Sequence, residues 1–205
     1  MITRETLLQA FDGLREDMKK RWNRFVPVGE LLEDRWTRAA AMGFGEGSNI
    51  YDSAAVIGDV TVGKNCWIGP NAHLDGSGGL TIGNHATIGI CTVIFSHNTA
   101  ERDLSGGAYP AQYQPTSIGN HVFTGPHCVI EMGANIGDYC VIMSHSVVKW
   151  PTPSHSILHG NPARIIGKVV LEEGRKPSMR FTRDGMEVMK SARATYADEP
   201  SHEKS

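Results

Sequence analysis

The chain has 205 residues, of which 40% are hydrophobic and 20% are charged, and its formal net charge is −2. This composition indicates one or two globular units with a buried core, and a charge so close to neutral gives no overall attraction to nucleic acid or to an anionic membrane. Glycine is abundant, with 23 residues against 6 Phe and 4 Trp, which favours tight, repeated turns over a core of large side chains.

No run of about 18 apolar residues occurs, so we expect no membrane insertion. The N-terminal sequence MITRETLLQAFDGLREDMKKR lacks the continuous apolar segment of a secretory signal, and a cytoplasmic location is the default expectation. The cysteines form no CxxC pair, which argues against a zinc knuckle or a redox dithiol.

Residues 1–46 are predicted to form an N-terminal helical cap. Helical spacing is shown by Leu7, Leu8, Phe11, Leu14 and Met18. A second helix is expected over residues 30–41, and Pro27 and Gly29 separate the two. Such a cap would cover the exposed end of a sheet.

Residues 47–167 carry an aliphatic residue at almost every sixth position. This aliphatic column comprises Ile50, Val56, Val62, Ile68, Leu74, Ile82, Ile88, Ile94, Ile118, Ile130, Ile136, Ile142 and Val148, with Thr124 in one place. Small residues lie four positions after most members, among them Ala54, Cys66, Ala72, Ala86, Cys128, Ala134 and Cys140. After Leu74, a two-residue insertion falls in the Gly-rich stretch DGSGGL.

These two columns predict an all-β solenoid. Each six-residue unit supplies one short strand and one turn, and three units close a coil of about 18 residues that pairs with the next as a parallel sheet. Cys66, Cys128 and Cys140 fall in the small column and are interpreted as buried structural thiols. The general crossover rule alone would favour a right-handed coil.

The repeat stops after His97 and leaves a loop over residues 98–117. Long loops on a repeat scaffold are usually functional. An imidazole titrates near neutral pH, so His97 is the candidate general base, worth roughly 10²–10⁴-fold in rate. Asn98 ranks first among the polar residues that could orient it.

Other loop residues are candidates for binding an acceptor. Glu101 and Asp103 could contact a sugar hydroxyl, and the faces of Tyr109 and Tyr113 suit sugar rings. Packing within an oligomer is the competing interpretation of this loop.

Two further groups of reactive residues suggest different chemistry. Cys91 could be an acyl carrier, but without a nearby base its thiolate would be scarce. Nine histidines suggest a metal site, with His97, His121 and His127 as the nearest candidates for a carbonic-anhydrase-like zinc centre. His127 and His145, 18 residues apart, should stack in neighbouring coils.

Residues 168–205 are charged and poorly patterned, so we expect a partly ordered C-terminal tail whose last dozen residues are disordered.

Four segments together resemble the bacterial hexapeptide-repeat acyltransferases, with closest similarity to sugar O-acetyltransferases of the maltose/galactoside and lipopolysaccharide/O-antigen types. They are IGPNAHLDGSGGLTIGNHATIG, CTVIFSHNT, PTSIGNHVFTGPHCVI and SHSVVKWPTPSHSILHGNPARIIG. The resemblance implies a left-handed parallel β-helix, acetyl-CoA as co-substrate, and a homotrimer with active sites between subunits.

The resemblance also implies site residues. His97 stands where the family has its catalytic histidine, before the projecting loop. Arg164 matches the basic residue that lies near the CoA nucleotide, and Gly125, Ser144 and His145 fall in motifs that approach CoA; His145 replaces a glycine there. Lys149 is a candidate partner of the CoA phosphates.

The sequence therefore predicts an acetyltransferase that moves an acetyl group from acetyl-CoA to a sugar hydroxyl in cell-surface polysaccharide or lipopolysaccharide biosynthesis. N-acetylation of a nucleotide-linked aminosugar, metal-dependent catalysis and a non-catalytic solenoid remain as alternatives.

Overall fold

The computed structural model describes residues 3–187 and residue 190, so the predicted disorder of the last dozen residues lies outside the described part. It contains a β-solenoid with helices at its N-terminal end. The named helices are α1 Arg4–Trp22, α2 Val28–Leu32, α3 Arg35–Ala41 and α4 Ala100–Leu104. In the described residues, no helix is both long and apolar enough to cross a bilayer.

The strands are short, and most contain two to four residues. They are β1 Asn49–Ile50, β2 Ala55–Val62, β3 Trp67–Ile68, β4 His73–Ile82, β5 Thr87–Ile88, β6 Val93–Ile94, β7 His97–Asn98, β8 Gln112–Tyr113, β9 Thr116–Ile118, β10 Phe123–Thr124, β11 Val129–Ile130, β12 Asn135–Ile136, β13 Val141–Ile142, β14 Val147–Val148, β15 Ser156–His159, β16 Arg164–Val170 and β17 Ser178–Phe181.

Two parallel sheets built from these strands form the wall of the solenoid. One sheet runs β1-β3-β5-β10-β13-β15 before its antiparallel end, and the other runs β12-β9-β4-β6-β11-β14, with β2 paired to β4. Strand β4 pairs with β6 through its first residues and with β9 through its last, so it joins two faces of the solenoid. The predicted parallel solenoid is confirmed.

The loop after His97 leaves the solenoid without adding a coil. Val129 pairs with Val147, 18 positions later, but Val93 pairs with Val129, twice that distance along the chain. The inserted segment pairs His97 with Tyr113 in the antiparallel β7–β8 ladder and forms α4 between them. The site residue His97 therefore lies where the chain departs from the coil.

The predicted columns form the core. The isoleucines of the aliphatic column are at most 2% exposed, and the small residues pack between them. Thr124, which replaces an aliphatic residue, is fully buried, and its hydroxyl accepts a hydrogen bond of 2.8 Å from the Gly89 N–H. The polar group is therefore satisfied inside the core.

The second predicted N-terminal helix is divided into α2 and α3. The carboxylate of Asp34 accepts hydrogen bonds from the N–H groups of Trp36 (3.0 Å) and Thr37 (2.9 Å), which begins a new helix there. The guanidinium of Arg35 lies 4.4 Å from the centre of the Tyr51 ring. Helix α3 packs against β1 at the start of the solenoid, whereas α1 has no buried residue. The bounds of the N-terminal cap stay a prediction.

At the other end, the chain reverses direction. Strand β16 pairs antiparallel with β15, and β17 pairs antiparallel with β16. Part of the segment that the sequence assigns to a poorly patterned tail thus extends the sheet.

Candidate active site

His97 forms a hydrogen-bonded pair with Asp75, a residue of β4. The Nδ1 atom of His97 lies 2.5 Å from Oδ2 of Asp75. The Asp75 side chain is only 1% exposed, whereas that of His97 is 33% exposed. A buried carboxylate thus holds one ring nitrogen of a histidine whose remaining surface reaches solvent.

Asp75 is held by several donors. Its Oδ1 accepts hydrogen bonds from the Ser77 N–H (3.0 Å) and the Ser77 hydroxyl (2.5 Å), and its Oδ2 accepts one from the Ser96 N–H (3.0 Å). Burial favours the neutral acid, but these hydrogen bonds together with that of His97 outweigh it and hold the pKa of Asp75 well below its ordinary value. Asp75 is therefore a carboxylate at neutral pH.

The pair determines what His97 can do. A carboxylate accepts the Nδ1–H of the imidazole, so it favours the tautomer with a free lone pair on Nε2. It also stabilises the imidazolium that forms after proton uptake. This geometry suits an imidazole that takes up a proton at Nε2, with Asp75 holding the ring in place.

A cavity of about 540 Å³ opens beside His97. Its apolar side comprises Phe95, Val129 and Met132, and its polar side includes Asn98 and Thr99. Glu131 and Lys149 line it as an ion pair, with 2.9 Å between Lys149 Nζ and Glu131 Oε1.

Lys149 also lines a second cavity, of about 270 Å³, toward the C-terminal end of the solenoid. Trp150 and Arg164 lie in its wall, and the Arg164 guanidinium carbon is 5.3 Å from the centre of the Trp150 ring. Lys149 thus lines both the cavity beside His97 and the cavity beside Arg164.

The other residues predicted to approach CoA lie elsewhere. Gly125, Ser144 and His145 occupy the turns that precede β11 and β14, whereas Glu131 and Lys149 follow those strands. These three residues do not line the cavity beside His97. Their predicted contact with CoA stays a prediction.

The loop residues divide into two groups. Tyr113 lies opposite His97 in the β7–β8 ladder, with 6.2 Å between ring centres. Asn98 lines the cavity, and its Oδ1 accepts a hydrogen bond from the Ala100 N–H. Glu101 and Tyr109 line a separate surface depression. The carboxylate of Asp103 accepts a hydrogen bond from the nearby Thr99 hydroxyl. Of the predicted acceptor residues, the structure thus brings Tyr113 to His97.

The histidines proposed for a metal are not assembled into a site. His127 and His145 stack as predicted, with ring centres 5.1 Å apart, and His121 stacks between His85 and Tyr139 in another column. Among residues 3–187 and residue 190, no group of three metal-ligating side chains occurs. His85, His121, His127 and His145 thus lie in stacked ladders at the turns.

Asp75 is not among the site residues that the sequence patterns predict, although a signal for it exists. The Gly-rich stretch DGSGGL, in which a two-residue insertion breaks the column, includes both Asp75 and Ser77. Asp75 precedes His97 by 22 residues, and the two meet because β4 and β6 pair side by side. A polar residue next to an insertion, one coil before the candidate base, is the pattern that could reveal it.

Comparison with known proteins identifies the repeat. Residues 115–149 match the model described as bacterial transferase hexapeptide (six repeats), and residues 59–94 match the hexapeptide repeat of succinyl-transferase.

Curated relatives share part of the chain. Galactoside O-acetyltransferase of Escherichia coli (strain K12) is 29% identical over 133 residues, which cover 53% of this chain and 64% of that protein. A protein of the same strain, WcaF, provisionally named a colanic acid biosynthesis acetyltransferase, is 30% identical over 118 residues, covering 56% and 61%. The chain thus spans less than two thirds of the length of these relatives.

A solved structure shares the fold. The hexapeptide-repeat acetyltransferase of Vibrio cholerae O1 biovar eltor, complexed with acetyl coenzyme A, superposes with a TM-score of 0.57 at 22% identity, covering 81% of this chain and 90% of that one. At this identity the likeness shows the solenoid architecture.

Proposed function

Since this chain is a member of the bacterial hexapeptide-repeat transferases, we propose that it transfers an acetyl group from acetyl-CoA to a sugar hydroxyl, with His97 as general base. The observation that supports this most is the Asp75–His97 pair at the edge of an open cavity. The relatives named as galactoside and colanic acid acetyltransferases favour a sugar acceptor and a role in cell-surface polysaccharide synthesis.

The chemistry requires one base and one activated carbonyl. The acceptor hydroxyl gives its proton to Nε2 of His97 as its oxygen bonds to the thioester carbon. The tetrahedral intermediate then collapses, the carbon–sulfur bond breaks, and the departing thiolate of CoA takes the proton from the imidazolium. Asp75 stays ionised throughout and stabilises the imidazolium.

The two cavities, which share Lys149 in their linings, suit an extended donor. Successive rungs join Val93 to Val129, Val129 to Val147, and Val147 to Ala163. Three strand spacings correspond to about 14 Å along the solenoid. We place the thioester beside His97 and the nucleotide near Arg164, whose guanidinium suits phosphate oxygens. Lys149 lies between them and can leave Glu131 for a pyrophosphate oxygen.

We place the acceptor against the loop side of the cavity. Tyr113 offers a ring face next to His97, and Asn98 and Thr99 supply polar groups there. We also propose that a homotrimer forms and that a neighbouring subunit completes this open cavity.

The test is release of CoA thiol from acetyl-CoA in the presence of separate acceptors: galactosides, maltose, nucleotide-linked sugars and nucleotide-linked aminosugars. Acceptor-dependent release with a sugar that bears only hydroxyls supports the proposal. Release with aminosugars alone would replace it by N-acetylation. Absence of release with the whole panel, together with no binding of acetyl-CoA in calorimetry, would reject an acetyltransferase.

A further inference from the structure

The surface at the C-terminal end of α1 combines basic and aromatic side chains. Residues 19–25 read KKRWNRF, and all of them are exposed. Among the aromatic side chains, Trp22 is 59% exposed and Phe25 is 84% exposed. The aliphatic residues Val28 and Leu32 follow, at 41% and 66% exposure. We refer to residues 19–28 and Leu32 as the basic–aromatic patch.

The charge of this patch differs from that of the whole chain. From Met18 to Gly29 the sequence has four Lys or Arg residues and no Asp or Glu. Arg21 pairs with Asp17 at 3.6 Å, but Lys19 and Lys20 have no carboxylate within ion-pair distance among the described residues, and neither does Arg24. The next acidic residue, Glu30, is buried and accepts a hydrogen bond from the Asp52 N–H. The patch is thus positively charged on a chain whose formal net charge is −2.

The backbone keeps these side chains on the outside. Asn23 ends α1 in the left-handed conformation, with φ of 50°, and its N–H donates to the Lys19 carbonyl. The chain therefore turns away from the helix axis before Phe25. No residue of α1 is buried, so the described part of the protein leaves the helix largely uncovered.

We propose that the basic–aromatic patch binds the surface of an anionic lipid bilayer. Trp and Phe side chains insert at the level of the headgroups, and Lys and Arg attract anionic lipids. The composition of residues 19–25 meets both requirements within a few residues. This contact is peripheral, in agreement with the absence of a spanning helix from the described residues.

Two other occupants fit less well. Single-stranded nucleic acid would use the cations and the Trp22 ring, but it offers no apolar environment for Val28 and Leu32. A second copy of the patch, facing the first across a twofold axis, would bring two clusters of four positive charges together. A bilayer surface satisfies both the charges and the apolar side chains.

The experiment is flotation of the full-length protein with vesicles of phosphatidylcholine alone or mixed with phosphatidylglycerol. We expect binding to the anionic vesicles that weakens as salt rises, and little binding to the neutral ones. Each basic residue near the surface contributes about fivefold to binding, so Lys19→Gln/Lys20→Gln should weaken it roughly 25-fold. Trp22→Ser/Phe25→Ser should also release the protein.

The matched control is Lys176→Gln/Met179→Ser, which changes an exposed lysine and an exposed apolar residue at the other end of the chain. It should bind as the wild type does. In addition, brominated lipids should quench tryptophan fluorescence in the wild type and much less in Trp22→Phe.

Three results would overturn the proposal. One is equal flotation with neutral and anionic vesicles, or no flotation. The second is an equal loss in the control and patch variants. The third is a protein that does not bind lipid but either retains a nucleic acid or self-associates through the patch. Loss of the self-association in Trp22→Ser/Phe25→Ser would identify the latter case.

Discussion

The Asp75–His97 pair gives the first prediction at the scale of single residues. In Asp75→Asn the new amide N–H would donate to Nδ1 of His97 and thereby favour the tautomer whose lone pair is not on Nε2. We expect kcat to fall roughly 10²–10⁴-fold with little change in the KM for acetyl-CoA. Steady-state kinetics measure this, with Asp59→Asn, an exposed carboxylate of β2, as the matched control. A kcat within about twofold of wild type would show that Asp75 does not position the base.

The same carboxylate makes a second prediction, about pH and stability. The pKa of Asp75 is lower in the folded protein than its ordinary value of 3.8, so its ionised form stabilises the fold above that pH and this contribution is lost as the pH falls. The free energy of unfolding of the wild type should exceed that of Asp75→Asn at about pH 5, and the gap should narrow progressively below about pH 4, as the carboxylate becomes protonated. Urea unfolding below pH 5 measures it. A gap that stays constant or widens below about pH 4 would contradict the assignment.

The cysteines provide a third prediction at this scale. Burial raises the pKa of the Cys66, Cys128 and Cys140 thiols, and their Sγ atoms donate to carbonyls of the neighbouring coil. Cys91 is partly exposed at a turn. An aromatic disulfide reagent should therefore modify one thiol quickly in the native protein and three more after denaturation. The Cys91→Ser variant is the control and should show no fast reaction. Fast modification of several thiols would mean that the coils open readily.

At the scale of elements, periodicity predicted the solenoid because each inward position of every coil requires an aliphatic side chain of similar shape. Ile130 and Ile136 follow from that rule, and even Thr124 fits because it has a hydrogen-bond partner. The rule predicts nothing about side chains that meet only because two strands distant in the sequence pair with each other. Asp75 reaches His97 because β4 lies beside β6, and Asp34 divides the second helix through a local cap that overrides helical spacing.

The cavity that Arg164 lines gives the prediction for this scale. Arg164→Ala removes the cation that we place near the CoA phosphates, so the KM for acetyl-CoA should rise about tenfold while kcat stays near wild type. Initial rates at varied acetyl-CoA measure this. Arg175→Ala, an exposed arginine paired with Glu172, should change neither constant. A lower kcat with unchanged KM would instead place Arg164 at the reacting atoms.

For the whole molecule, the resemblance implied an assembly that residue patterns alone could not specify. A homotrimer would have three times the chain mass of 22.3 kDa, and light scattering coupled to gel filtration should return that value. A monomer that is fully active would show that the cavity needs no neighbouring subunit. The sequence does not predict the acceptor, because the inserted loop against which we place it has no repeat from which contacts could be inferred.

The central claim is that His97 is the base for acetyl transfer, and the most direct measurement compares His97→Ala with His121→Ala. His121 is a turn histidine of the ring ladder and does not line the cavity beside His97, so it controls for loss of an imidazole. At equal assembly state, we predict that acetyl transfer to the accepted sugar falls roughly 10²–10⁴-fold in His97→Ala and stays near wild type in His121→Ala. Near wild-type transfer by an intact His97→Ala protein would contradict the claim.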